Sequence, residues 1–140
     1  MSLTITTEIQ INATPKEIWN EFIDFNSYPN WNPFIIQIEG IPSEGKQLKA
    51  TIGGMKFQPI VLESIPNKKL MWLGKLLFKG LFDGKHSFEI IEQSTGCLFI
   101  QKEDFSGVLV PLFKKKLMTD TKQGFIEMNK QLKLRVEAKN

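Results

Sequence analysis

Two residues in this chain have the types and spacing for proton chemistry: His86, the only histidine, and Glu103. Apolar and polar residues alternate on both sides of Ser94-Thr95, the pattern of a hairpin. A two-residue loop there pairs Ile90 with Phe99, Phe88 with Gln101 and His86 with Glu103. Imidazole then faces carboxyl across two strands, on the face that also carries Phe88, Phe99 and Phe105. In an apolar surround each group tunes the other's proton affinity, which is the minimum equipment for general acid–base catalysis. The same pair can anchor a ligand hydroxyl or carbonyl, or simply satisfy itself as buried polar groups must. Glu63 and Trp72 are expected on this face of the neighbouring hairpin.

Other chemistry is thinly provided. Cys97 has no second histidine to activate it, no serine lies in a nucleophile-elbow sequence, and packing is the expected role of the thiol. One cysteine excludes an intramolecular disulfide, and one histidine leaves too few soft ligands for the usual zinc clusters. Neither a metal nor a cofactor is expected. The net charge is +3, Arg135 is the only arginine, and the lysines are spread along the chain apart from Lys114-Lys115-Lys116. A nucleic-acid reader shows clustered arginines and a basic face, so that class is set aside. The lysine run reads as a solvated face, or as a point of transient contact with anionic membrane. No apolar run approaches the roughly 18–20 residues of a membrane span and Met1-Ser2-Leu3 leads straight into an alternating segment, so a cytoplasmic protein is expected.

The elements that must position the pair follow from periodicity. At 140 residues one domain covering 1–140 is expected, long enough to bury a full core. Leu3 to Ile11 alternates with a period of two and reads as a strand. Thr14-Pro15-Lys16-Glu17 supplies an N-cap hydroxyl, a proline at the first helical position and a glutamate three residues after the cap. Asn26 to Pro33 holds two prolines and three asparagines, so a second helix there can only be short. Six strands fit between Phe34 and Gly107, and a two-residue loop at Gly53-Gly54 pairs Ile52 with Met55 and Ala50 with Phe57. From Pro111 to Ala138 the spacing changes to 3–4, with Leu117, Thr121, Phe125, Met128 and Leu132 in one stripe. That is one helix of roughly 40 Å at 1.5 Å per residue. Gly124 inside it costs roughly 1 kcal/mol against alanine, so either the backbone is approached closely there or a neighbour needs the space.

The expected fold is therefore α+β: a curved seven-stranded antiparallel sheet, two short helices and a long C-terminal helix lying in its concave side. A helix that touches both rims of such a sheet leaves a cavity beneath it. The candidate lining is Phe57, Trp72, Phe88, Phe99, Phe105, Met118, Phe125 and Met128, joined by Gln101, His86 and Glu103 as the polar members. Bulky aromatics and methionines suit an adaptable apolar pocket. The connection from Lys75 to Gly84 holds five apolar residues between flexible glycines, which a cavity mouth would explain, as would strand ends flanking an ordinary loop.

Three segments carry a family resemblance: Trp31-Asn32-Pro33-Phe34, Asp83 through Ile90, and Gln101 through Leu112. With the element order, they resemble a bacterial polyketide cyclase/dehydrase-like member of the START-related (SRPBCC) superfamily over nearly the whole chain. The resemblance implies a single START-like domain of helix-grip fold with a deep hydrophobic cavity. Members of that superfamily include lipid and sterol carriers, hormone and pathogenesis-related binders, and aromatase/cyclases. The cyclases steer a polyketide with arginines and tyrosines, where this chain has only Arg135 and Tyr28. Gly53-Gly54 is a hairpin turn rather than the glycine-rich loop of the plant binders. The leading expectation is a binder of a hydrophobic or amphipathic small molecule. The rivals are a cyclase or dehydratase using His86 and Glu103 as acid and base, and a co-chaperone-like interaction module.

Overall fold

The computed structural model describes residues 2–75 and 80–139. Ser2–Ile11 forms strand β1, whose alternation buries Ile5, Thr7 and Ile11. The expected capping box opens helix α1, Pro15–Phe22: Thr14 Oγ1 accepts from the Glu17 N–H at 3.2 Å, and Glu17 Oε1 accepts from the Thr14 N–H at 2.9 Å. A single tight turn over Phe25–Ser27 leads into the short helix α2, Tyr28–Trp31. Asn32 then turns the chain outward. Its Oδ1 accepts from the Phe34 and Ile35 N–H groups at 2.9 and 2.8 Å, a side-chain mimic of a backbone turn.

Seven further strands follow: β2 Ile35–Glu39, β3 Lys49–Ile52, β4 Met55–Phe57, β5 Ile60–Ile65, β6 Lys69–Lys75, β7 Asp83–Glu92 and β8 Cys97–Ser106. The expected seven-stranded sheet is thus an eight-stranded arrangement in two sheets, ordered β1-β8-β7-β6-β5 and β2-β3-β4. All the pairings are antiparallel. The difference arises at Gln58-Pro59, inside what the alternation reads as one strand. Proline has no N–H to donate to a ladder, and around this point the sheets are linked by a bridge between Gln47 and Ile60 and by bonds from the Leu48 N–H to the Pro59 carbonyl at 2.8 Å, from the Val61 N–H to the Lys46 carbonyl at 2.9 Å and from the Gly45 N–H to the Val61 carbonyl at 2.8 Å. The register across Gly53-Gly54 is as expected, Ile52 with Met55 and Ala50 with Phe57. Both glycines take positive φ, +56° and +83°, as this hairpin turn requires.

The C-terminal helix runs without a break from Val110 to Glu137, as α3 (Val110–Lys116), a wider π turn over Leu117–Thr121 and α4 (Lys122–Glu137). Its inner stripe of Phe125, Met128, Asn129, Leu132 and Val136 is buried. Burial pushes the Glu21 carboxyl of α1 up, but hydrogen bonds from Lys139 and Arg135 outweigh it and hold the group below its ordinary range. This clamps the end of the helix to α1. Two buried clusters lie under the helix. The larger involves α1, Trp72, Phe88 and Phe99, the smaller Ile5, Phe105, Val110, Leu117 and Phe125, and Phe34 packs against both.

Gly124 answers to Phe34. A Cβ at 124 would overlap the Phe34 ring, which stands edge-on to Phe125 at 5.4 Å. Gly124→Ala gains helix propensity of about 1 kcal/mol but overpacks the ring by about 1–3 kcal/mol. The expected net result is a melting temperature lowered by a few degrees in thermal unfolding. A rise would mean that Phe34 moves aside at no cost.

Candidate functional site

The tight turn closed by the Gln93 N–H on the Gly96 carbonyl, at 3.0 Å, sets the β7–β8 register. His86 lies opposite Glu103, Phe88 opposite Gln101 and Ile90 opposite Phe99, as the turn arithmetic requires. On the other side of β7, His86 pairs with Trp72 and Gly84 with Gly74. Two facing glycines leave the inner wall hollow beside the polar pair, and a Cβ at Gly84 would overlap Glu103 Oε2. The carboxyl therefore occupies the space that a side chain at 84 would take.

The imidazole is held by three aromatic rings and two polar contacts. Its ring is stacked between Phe88 (4.3 Å between centroids, 22°) and Phe125 (4.9 Å, 25°), with Trp72 edge-on to it at 5.4 Å. Nε2 lies 2.9 Å from Gln101 Oε1 and Nδ1 lies 3.3 Å from Glu103 Oε1. Two backbone carbonyls fix the polarity of the chain of bonds behind it. The Gln101 amide donates to the Phe125 carbonyl at 3.5 Å and to Asn129 Oδ1 at 2.8 Å. Thr7 uses its one proton on the Gln101 carbonyl at 3.3 Å, so its hydroxyl oxygen accepts from Asn129 Nδ2 at 2.9 Å. Gln101 Oε1 consequently faces the ring, and Nε2–H is the donor to it. In the neutral ring Nδ1 is then a bare lone pair aimed at the Glu103 carboxyl.

Electrostatics agree with this polarity. Burial pushes His86 down to about 3, the Gln101 bond opposing it. Burial also pushes Glu103 up to about 8, with the Asp104 charge adding to the rise. Both shifts penalise the charged form in a desolvated site. They favour an uncharged imidazole beside a protonated carboxylic acid. A carboxylate would set its own lone pairs against Nδ1, and the acid proton removes that conflict.

Beside the pair is a cavity of about 160 Å³ lined mainly by apolar side chains. Of the residues expected to line it, Phe57, Trp72, His86, Glu103 and Phe105 do so. Phe88, Phe99, Gln101, Phe125 and Met128 are buried in the packing around it and are not among the lining residues. Phe88, Phe125 and Gln101 act on the site through the imidazole they hold, while Phe99 and Met128 belong to the packed core. Met118 is a correction. It is 40% exposed, because Leu117 and Thr121 take the inward positions of the π turn and the next residue points about 100° away round the helix. Glu63 is a second correction: a bulge between Val61 and Glu63 sets it opposite Met71, and it pairs with Lys69 at 3.4 Å on the other face from Trp72.

Sequence reasoning missed Phe34, Gly74, Gly84, Phe82, Phe113, Lys116 and Leu117, all in the lining. The usable signal was a pair of strand glycines at facing register positions, which marks missing volume rather than a turn. The apolar connection from Lys75 to Gly84 falls partly on residues 76–79, outside the described residues. Cys97 is buried, its Sγ 3.3 Å from the Ala13 carbonyl. Among the described residues, no group of three or more His, Cys, Asp or Glu could hold a metal ion, and no helix is long and apolar enough to cross a membrane.

Comparison with known proteins comes down to one family and one fold. The family model described as polyketide cyclase/dehydrase and lipid transport matches residues 2–137. No curated protein matches at a significant level. Among solved structures, a hypothetical protein from Helicobacter pylori superposes with a TM-score of 0.83 at 14% identity, over 96% of this chain and 88% of its own. Protein MLL2253 from Mesorhizobium loti gives 0.77 at 18%, over 99% of both chains. The di-domain ARO/CYC StfQ of the steffimycin biosynthetic pathway gives 0.78 at 9%, over 99% of this chain and 52% of that one. At these identities the likeness is one of fold.

Proposed function

We propose, on the premise that the chain belongs to the polyketide cyclase/dehydrase and lipid transport family, that it binds a hydrophobic or amphipathic small molecule in the cavity beneath its terminal helix. The observation that carries this reading is an apolar hollow that the fold goes out of its way to keep open. Gly74 leaves space that a side chain would fill, and Gly84 opposite it leaves room for the Glu103 carboxyl in the wall. Burial of apolar ligand surface supplies affinity at about 25 cal/mol per Å², and the His86–Glu103 pair offers one polar contact at the wall. The volume bears on size. A cavity of about 150 Å³ in another protein takes benzene, so 160 Å³ suits one ring or a short chain, with anything larger extending past exposed Met55 and Lys116.

Gly74→Leu tests the reading. A Cβ there meets nothing closer than Phe57 at 4.0 Å, and the backbone is not in a glycine-only conformation, so the variant should fold with its side chain in the hollow. Binding of an apolar fluorescent probe, saturable in the parent protein, is expected to be lost. Native mass spectrometry of protein purified from its own host is expected to find a retained small molecule. Undiminished probe binding in a folded Gly74→Leu variant would move the site elsewhere.

A second reading, a cyclase or dehydratase, is favoured by one observation: Glu103 Oε1 lies 3.3 Å from His86 Nδ1 in the cavity wall, where burial pushes the carboxyl up towards the protonated state a general acid needs. Substituting glutamine at His86 and Glu103 separates the two. Probe binding should persist under both readings, and turnover of a polyketide-like substrate should vanish under the second alone.

A further inference from the structure

The two oxygens of the Glu103 carboxyl are not equivalent. Oε1 is the one near His86 Nδ1. Oε2 stands over Gly84 in the cavity wall and has no hydrogen-bond partner among the described residues. The bond chain from Thr7 through Asn129 and Gln101 makes Nδ1 a lone pair, so the acid proton belongs on Oε1, facing the ring. Oε2 is then a carbonyl-type acceptor open to the cavity. An acceptor in a mainly apolar wall favours a donor and opposes an anion. The only cationic side chain in the described lining is Lys116, which is exposed on the terminal helix.

Resting on the ligand-binding reading, we propose that the cavity selects an uncharged ligand of about one-ring size whose hydroxyl donates to Glu103 Oε2, and discriminates against carboxylates. Phenols and benzylic alcohols fit this description. A free fatty or aromatic acid does not, because its carboxylate would meet the Glu103 oxygen instead of a donor. A net gain of about 0.5–1.5 kcal/mol is typical of one neutral hydrogen bond, a preference of about threefold to tenfold over the same ligand without its hydroxyl.

The test is calorimetric titration at pH 6.5 with toluene, p-cresol and p-toluate, which share a ring and a methyl group and differ only in the polar end. In the parent protein p-cresol should bind about threefold to tenfold tighter than toluene, and p-toluate should be weakest. Glu103→Gln should keep the preference, since its amide can donate to Nδ1 and leave its oxygen to the ligand. Glu103→Met should keep toluene binding and lose the preference. Equal affinities for p-cresol and toluene in the parent protein would overturn the inference while leaving the cavity reading intact. So would p-toluate binding tightest and weakening in Lys116→Gln, which would place polar recognition at that lysine. Binding of none of the three would remove the cavity reading and this inference with it.

Discussion

The unfolding free energy from the buried pair is expected to be flat between about pH 4.5 and 6.5 and to fall above 6.5 until about pH 8. Across that range the folded pair holds one proton, on Glu103. The unfolded chain holds one as well between its ordinary glutamate and histidine values, 4.5 and 6.5, but on the histidine, so no net proton moves on unfolding and the slope is zero. Above 6.5 the unfolded chain has released its proton while the folded one keeps it to about 8. Folding then takes up a proton, and stability drops by about 1.4 kcal/mol per pH unit. Below 4.5 the unfolded chain binds two protons against one, and stability falls with acid until His86 charges near 3. Glu21 and Glu137, both shifted down, add to the acid limb. Tyr28 and Cys97 are shifted up from values already above 8, so the alkaline limb belongs to Glu103.

Glu103→Gln has nothing to ionise and should flatten that limb. Relative to the parent protein it is expected to gain about 2 kcal/mol between pH 6.5 and 8.5, measured as urea unfolding midpoints at a series of pH values. Parallel curves for the two proteins across this window would show that Glu103 carries no buried proton, and the assignment of Oε1 as donor would go with it.

Gln101→Leu should be the most damaging single substitution among the residues around the site, at about 2–6 kcal/mol, because it orphans His86 Nε2–H and Asn129 Oδ1 together, each costing about 1–3 kcal/mol when buried unpaired. Leucine is close in size, so lost packing adds little. Chemical denaturation measures the loss. A second signature separates polarity from bulk: without the Gln101 acceptor the imidazole is free to carry its proton on Nδ1 and donate to an ionised Glu103. The alkaline limb should then weaken or shift to lower pH. A variant with parent-like stability would mean that the amide chain from Thr7 to His86 contributes nothing net, and the tautomer would lose its anchor.

Much of the site was legible because hairpin register is local information. Once the turn at Ser94-Thr95 is placed, the pairing of His86 with Glu103 is counting, and the inward face follows from a period of two. The capping box at Thr14 was legible for the same reason, as a demand made by a few neighbouring residues, whereas at Gly124 only the cost of a helical glycine was local and the ring that needs the room, Phe34, is far away in the chain. Gly84 was harder. Beside Gly80 and Asp83 it reads as turn punctuation, whereas it lies in β7 opposite Gly74 and beneath a carboxyl from a third strand. Met118 was misread because it sits one position past Leu117 in the stripe of Leu117, Thr121 and Phe125, so its side chain turns away while Leu117 and Thr121 face the cavity.

The sequence by itself determined the α+β order, the antiparallel hairpins, the long closing helix and the facing of imidazole by carboxyl, because all of these follow from periodicity and turn length along contiguous chain. Only the tertiary structure decided which oxygen of Glu103 is unclaimed and which ring nitrogen carries the proton. Those answers come from Thr7, Gln101, Phe125 and Asn129, brought together from β1, β8 and α4, and a proton's position is set by the last fixed carbonyl in such a chain. The empty volume is likewise a property of the assembled walls: the missing side chain at Gly74 leaves a hollow only because β6, β7 and the terminal helix meet around it, while Gly84 makes room there for the Glu103 carboxyl.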